Sequence, residues 1–175
     1  NARGLCTTLT ALESSLGRQL RQKMKSLVLG LYVIIDPRNV PKERDPAQLA
    51  WDTLEGGARI LQLRDKLGEK GEGLTLAQTI QKSCLEKNAL FIVNDHVDLT
   101  TSVEAHGVHL GQGDLSISKA RRILDPQQIV GRSNHSTEEA IDSECLGADY
   151  IAVGAMFPTT AKDQPRVGGL DLLRQ

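Results

Sequence analysis

Between Leu31 and Val153 the chain alternates short apolar runs with longer amphipathic ones, and this alternation restricts the fold more than any other feature. Leu31–Ile35, Arg59–Leu63, Ala89–Val93, Gly107–Leu110, Gln128–Gly131 and Tyr150–Val153 read as strands, with helical stretches between them. Several runs are apolar at nearly every position. A strand covered on both faces has that pattern, whereas a half-solvated antiparallel strand alternates polar and apolar residues. The expectation is a repeated βα unit and a parallel α/β sheet.

Periodicity alone does not separate a closed barrel from an open doubly wound sheet. The placement of polar residues does. Gln62, Arg64 and Lys66, then Asn94 and Asp95, then His109, Gln112 and Asp114, then Ser133 and His135, and finally Thr159, Thr160 and Lys162 all cluster at the ends of successive runs. One site fed by the carboxyl ends of many strands is the arrangement of a TIM (β/α)8-type barrel. In an open sheet only the strands beside the topological switch point would contribute. A chain of 175 residues suits one such domain, expected over residues 28–175.

Residues 1–27 are expected to form an N-terminal helical extension. Leu5, Leu9, Leu12, Leu16 and Leu20 recur at helical spacing, with Glu13, Arg18, Gln19 and Arg21 on the other faces. The stripe is read as docking on the barrel or on a second subunit of a homo-oligomer; the competing reading is a remnant of an upstream domain. Asn1 and the absence of a signal pattern after it suggest the edge of a longer product.

Lys and Arg number 21 against 22 Asp and Glu, for a net charge of −1. That balance supplies no global attraction to nucleic acid or an anionic membrane, so neither is expected as a partner. The apolar runs fall well short of the roughly 20 residues of a membrane-spanning helix. Cys6, Cys84 and Cys145 match no metal or redox spacing. They are expected as buried thiols in a reducing cytoplasm.

Asp95 and Asp114 follow two successive strands, where two hard carboxylates can share Mg²⁺ with water and phosphate oxygens. Each also has the position of a helix cap. Gln62, Arg64 and Lys66 alternate along an extended segment and so project to one side, offering donors to a diphosphate; surface ion pairing is the competing reading. Lys162 adds a cation beside the hydroxyls of Thr159 and Thr160 on a Pro- and Gly-flanked loop. His109 and His135 read as pocket walls or structural histidines, and no third soft ligand accompanies His106 and His109 to make a zinc site.

Five segments, in order, resemble the thiamine phosphate synthase family: Gln62-Leu63-Arg64-Asp65-Lys66, Val93 to Leu99, Gly107 to Leu115, Gly131 to Ser136, and Gly147 to Gly154 running into Phe157-Pro158-Thr159. The resemblance spans about Leu31 to Leu170. It implies a Mg²⁺-dependent transferase that joins 4-amino-2-methyl-5-(diphosphooxymethyl)pyrimidine to a thiazole phosphate with release of diphosphate. It further implies that Gln62, Leu63, Arg64, Asp65, Lys66, Asn94, Ser133 and Lys162 bind the pyrimidine diphosphate. Arg64, Lys66, Ser133 and Lys162 would act in catalysis, Asp95 and Asp114 would hold Mg²⁺, and Thr159, Thr160 and Ala161 would lie along the thiazole phosphate.

The family usually has Thr or Ser where Ala161 stands, so one hydroxyl donor is missing. After Gly168-Gly169-Leu170 a full barrel would need two more strands; more chain or a neighbouring subunit is expected to cover that gap. A thiazole tautomerase on the same barrel and a noncatalytic regulatory barrel are the competing functions. Asn94, Asp95 and Asp114 argue against the first; only Ala161 and the missing strands support the second.

Overall fold

A computed structural model of the chain describes residues 2–65, 70–158 and 169–175. Six strands form one sheet: β1 (Tyr32–Ile35), β2 (Ile60–Leu63), β3 (Leu90–Asn94), β4 (Gly107–Leu110), β5 (Ile129–Asn134) and β6 (Tyr150–Val153). Their spatial order is their sequence order, and every neighbouring pair is parallel. The helices are α1 (Ala2–Lys25), α2 (Pro46–Glu55), α3 (Lys70–Glu86), α4 (Val97–Ser102), α5 (Ile117–Ala120), α6 (Thr137–Cys145) and α7 (Gly169–Arg174).

The six expected strands are present, but β5 continues past Gly131 through Arg132, Ser133 and Asn134. Polar side chains do not end it because the backbone has a ladder partner on each side, Leu110 opposite Arg132 and Val153 opposite Asn134. The sheet also curls. Strands sit about 4.8 Å apart, so in a flat sheet β1 and β6 would lie roughly 24 Å from each other, beyond the reach of two tyrosines. Yet the hydroxyls of Tyr32 on β1 and Tyr150 on β6 are 3.0 Å apart. Closing that distance makes the sheet a parallel half-barrel with an inner and an outer face.

On the outer face Leu61, Leu63, Phe91 and Val93 pack against Ala77, Ile80 and Cys84 of α3 and Ala50 and Leu54 of α2. The inner face has a smaller apolar layer of Ile60, Leu90, Ile92 and Ile129, against which Met24 and Val28 pack from the end of α1 and the turn after it. α2 starts cleanly because Asp45 accepts the Ala47 N–H at 3.0 Å and Pro46 occupies the first helical position.

α1 docks by a different face from the expected one. Gly17 lies so close to Pro126 that a Cβ on it would stand 2.4 Å from the proline Cβ. Arg21 bonds the Pro126 carbonyl and pairs with Asp149 at 3.7 Å. Gly17, Arg21, Met24 and Val28 thus make the contact at helical spacing. The leucine stripe points away: Leu9, Leu12, Leu16 and Leu20 are 52%, 60%, 58% and 41% exposed. Close approach of two backbones decided the docking face, and a leucine count does not register that. A second correction concerns the thiols: Cys84 is buried, but Cys145, in the last turn of α6, is exposed. No described helix is long and apolar enough to cross a membrane.

Candidate active site at the carboxyl ends of the strands

Alternation along the strands determines which side chains face the concave side. Tyr32 and Ile34 of β1, Gln62 of β2, His109 of β4, Ser133 of β5, and Tyr150 and Ala152 of β6 line one open cleft of about 440 Å³. Gln62, Asn94 and His109 are 2%, 4% and 6% exposed, and burial at that level requires hydrogen-bond partners.

Most partners come from one another. The Gln62 amide donates to the Tyr32 hydroxyl at 2.7 Å, Tyr32 meets Tyr150 at 3.0 Å, and Tyr150 meets His109 Nδ1 at 3.2 Å. His109 Nε2 then meets Ser133 Oγ at 2.8 Å. Only the first bond has a fixed direction, because an amide nitrogen donates and does not accept. The two phenols, the imidazole and the serine hydroxyl can each donate or accept, so the row can carry its protons in either sense. Burial pushes both phenols above their ordinary pKa, Tyr150 well above it, so they remain neutral members of the chain.

Arg64 follows β2 directly. It is 8% exposed and donates from Nη1 to Asp36 Oδ2 at 2.6 Å. Leu63 faces the helices in the outer core, so only its backbone can reach a ligand; Asp65, the next residue past Arg64, is half-buried. Asn94 closes β3, opposite His109 in the ladder. Lys66, Thr159, Thr160, Ala161 and Lys162 lie outside the described residues.

Asp95 and Asp114 follow adjacent strands. The N-cap positions of α4 and α5 are held by His96 and Ser116, neither of which makes a side-chain cap bond. Asp95 has a left-handed backbone, φ 62°, a conformation Asp tolerates better than most residues. Its amide bonds the His109 carbonyl at 2.9 Å, tying the end of β3 to β4. Asp114 Oδ2 accepts the Gly111 N–H at 2.7 Å, closing the turn after β4. Two oxygen-only ligands on neighbouring loops fit Mg²⁺, which takes one or two carboxylates and completes its shell with water and substrate phosphates. Among the described residues no group of three or more His, Cys, Asp or Glu stands close enough to enclose an ion. His106 is otherwise engaged, its Nδ1 accepting the Phe91 N–H at 3.0 Å.

Sequence reasoning passed over Tyr32, Tyr150 and Asp36, and placed Gln112 at a strand end without giving it a role. The tyrosines share strand parity with Gln62 and Ser133, a signal that was present in the sequence. Gln112 donates to the Ser133 carbonyl at 2.7 Å and to Asn134 Oδ1 at 3.1 Å. It thereby ties the loop after β4 to the end of β5.

A curled parallel sheet that gathers amides, a guanidinium, a hydroxyl and two carboxylates at the carboxyl ends of its strands defines an α/β-barrel type of enzyme site. Within that class the chain belongs to the thiamine monophosphate synthase family, whose model matches residues 31–175. It is 44% identical over 119 residues to the thiamine-phosphate synthase of Shouchella clausii, covering 68% of this chain and 57% of that one. It is 38% identical over 153 residues to a thiamine biosynthesis bifunctional protein of Geobacter sulfurreducens, covering 87% of this chain and 30% of that protein. A solved thiamine phosphate pyrophosphorylase from Pyrococcus furiosus superposes with a TM-score of 0.76 at 40% identity, over 86% of this chain and 70% of that one. The chain therefore spans only part of the length of these relatives.

Proposed function

We propose that this chain carries the thiamine phosphate synthase reaction: the thiazole nitrogen of a thiazole phosphate bonds to the methylene carbon of the pyrimidine diphosphate, and the carbon–oxygen bond to diphosphate breaks. The observation that carries the proposal is one cleft lined by Gln62, His109 and Ser133 from three strands, with Arg64, Asn94, Asp95 and Asp114 at or just past the carboxyl ends of β2, β3 and β4. Family membership supports the same reading. The finer fold assignment, a (β/α)8 barrel of which these are six strands, is supported by their sequential parallel order and by partial coverage of the solved relative.

The chemical demand is to stabilise negative charge growing on the departing diphosphate. Preorganised donors and cations meet it best, because they need no reorganisation as charge develops. Arg64 would offer guanidinium donors to the phosphate oxygens. Ser133, held by His109 Nε2 at 2.8 Å, would hydrogen-bond the same substrate. Gln62 and Asn94 would fix the substrate's orientation, and Lys66 and Lys162 would add charge from loops. Thr159 and Thr160, with the Ala161 backbone, would border the thiazole phosphate. Mg²⁺ held by Asp95 and Asp114 would supply further charge neutralisation at the leaving group. No protein nucleophile is required. A reducing cytoplasm would suit the unpaired Cys84 and Cys145.

The test is formation of thiamine phosphate from the two substrates with and without Mg²⁺, in the parent chain and in Asp95→Ala. Mg²⁺-dependent product that disappears in the variant is the expected result. No product from the parent chain at saturating substrates refutes the assignment for this chain. Undiminished product in Asp95→Ala refutes the metal site.

A further inference from the structure

Asp36 follows the last residue of β1 and is 8% exposed. Its Oδ1 accepts the Arg38 backbone N–H at 3.1 Å and Arg38 Nε at 3.0 Å; its Oδ2 accepts Arg38 Nη2 at 2.7 Å and Arg64 Nη1 at 2.6 Å. One carboxylate therefore holds two guanidiniums, one from its own turn and one from the neighbouring strand. The two contacts differ in kind. Arg38 engages both oxygens in a fork, the geometry that compensates a carboxylate most fully. Arg64 makes a single bond to one oxygen.

Both guanidiniums pair with the same carboxylate, Arg64 at 2.6 Å and Arg38 at 2.7 Å, and Asp65 adds a second negative charge that acts on Arg38. Arg64 Nε is buried with no hydrogen-bond partner. A buried guanidinium with unfilled donors is costly to keep, which makes sense where an anion completes its shell. A cleft of about 270 Å³ beside the pair is lined by Ile34, Asp36, Asn39 and Arg64. The bonds from Arg38 also hold the Asp36 carboxyl below the usual carboxylate range, so it stays ionised throughout the neutral range.

We propose that Asp36 is a positioning residue for diphosphate binding: it fixes the Arg64 guanidinium just past the carboxyl end of β2, and the fork from Arg38 holds Asp36 in place for that task. The identity of the anion rests on the synthase reading above; the positioning itself rests on the geometry of the trio.

A purely structural role for Asp36 would be to cap the turn Pro37–Asn39. Asp36→Asn separates the two roles. With its oxygen at the Oδ1 position, Asn keeps the cap, while its amide replaces Oδ2 and turns a donor toward Arg64. The experiment is calorimetric titration with inorganic diphosphate, with and without Mg²⁺, on the parent chain, Asp36→Asn, Arg64→Met and the double variant. Each single change is expected to weaken binding about tenfold, as for loss of one charge-assisted contact, and the double variant to bind no more weakly than Arg64→Met alone. Unchanged affinity in Asp36→Asn, or losses that add in the double variant, overturns the proposal.

Arg38→Ala gives an independent reading should Asp36→Asn fail to fold, because the Arg38 side chain is 34% exposed. Uncovering the Asp36 charge should weaken diphosphate binding, more strongly at low salt. Affinity equal to the parent's at both salt concentrations overturns the part of Arg38 in holding Asp36. If the parent binds diphosphate yet makes no product, the reaction assigned above fails while the variants still decide the positioning role; if the parent does not bind diphosphate, both fail.

Discussion

Gly131→Ala should open the hydrogen-bonded chain of the cleft from behind. Gly131 of β5 pairs with Tyr150 of β6. A Cβ at that position would stand 2.0 Å from the tyrosine Cζ, 2.5 Å from Cε1 and 2.4 Å from the hydroxyl oxygen. The ring has little room to yield, since it lies with its centroid 6.3 Å from that of Tyr32 and 5.7 Å from that of His109. Overpacking of this kind costs roughly 1–3 kcal/mol. If the ring swings aside instead, the bonds to Tyr32 and His109 are lost at about 1 kcal/mol each. The two routes together bracket a loss of about 1–3 kcal/mol, a drop in Tm of roughly 2–12 °C for a chain of this size. The assay is thermal and urea unfolding together with product formation. Gly113→Ala serves as control, because nothing lies within 4 Å of its Cβ position. Tyr150→Leu should cost less in the Gly131→Ala background than in the parent, since the smaller side chain relieves the clash. A Gly131→Ala protein within about 1 °C of the parent, or strict additivity with Tyr150→Leu, would refute the reasoning.

Three further perturbations test other parts of the molecule. In Gly111→Ala the new Cβ would lie 2.9 Å from Asp114 Oδ2; displacement of that carboxylate should raise the Mg²⁺ concentration for half-maximal product formation several-fold with little change in Tm, and an unaltered Mg²⁺ requirement counts against Asp114 as a ligand. Gln128, 2% exposed, donates to the Thr100 and Ala105 carbonyls at 3.1 and 2.9 Å and accepts the Asp125 N–H at 2.9 Å. Gln128→Leu leaves these backbone groups unsatisfied and should cost about 2–4 kcal/mol in urea unfolding; a loss under about 0.5 kcal/mol would show that they find other partners. Burial depresses the His106 pKa from its ordinary 6.5. The unfolded chain thus takes up that proton at higher pH than the folded one, so this contribution to stability is complete above about pH 6.5 and shrinks as pH falls toward the folded value. His106→Gln should flatten that part of the pH profile between pH 8 and 5, and an unchanged slope would exclude His106 as its source.

Much of the fold was legible because apolar runs covered on both faces leave little alternative to a parallel sheet, and all six strands lie where such runs occur. Strand parity made Gln62 and Ser133 recognisable as inward-facing. What escaped was decided by closure in space. Tyr32 and Tyr150 stand at opposite ends of the sheet, and only its curl brings their hydroxyls together. Asp36 reads as the cap of a short turn until Arg64 is seen to reach across from the next strand. The leucines of α1 suggested the docking face, but Gly17 permits the close approach to Pro126, and a glycine contributes nothing to an apolar stripe.

The sequential strand order has a consequence for how the molecule forms. Each βα unit finds its sheet partner in the segment synthesised just before it, so growth can proceed from the amino-terminal side with short loops to close at every step. Contacts of α1 and β1 with the far end of the sheet break that rule: Arg21 bonds Pro126 across 105 positions and also pairs with Asp149, and Tyr32 meets Tyr150 across 118. The elements that plug the base of the half-barrel and complete its hydrogen-bonded cleft are thus made early and fully satisfied late. Part of the surface of Arg21, Met24, Val28 and Tyr32 stays uncovered until β5 and β6 emerge.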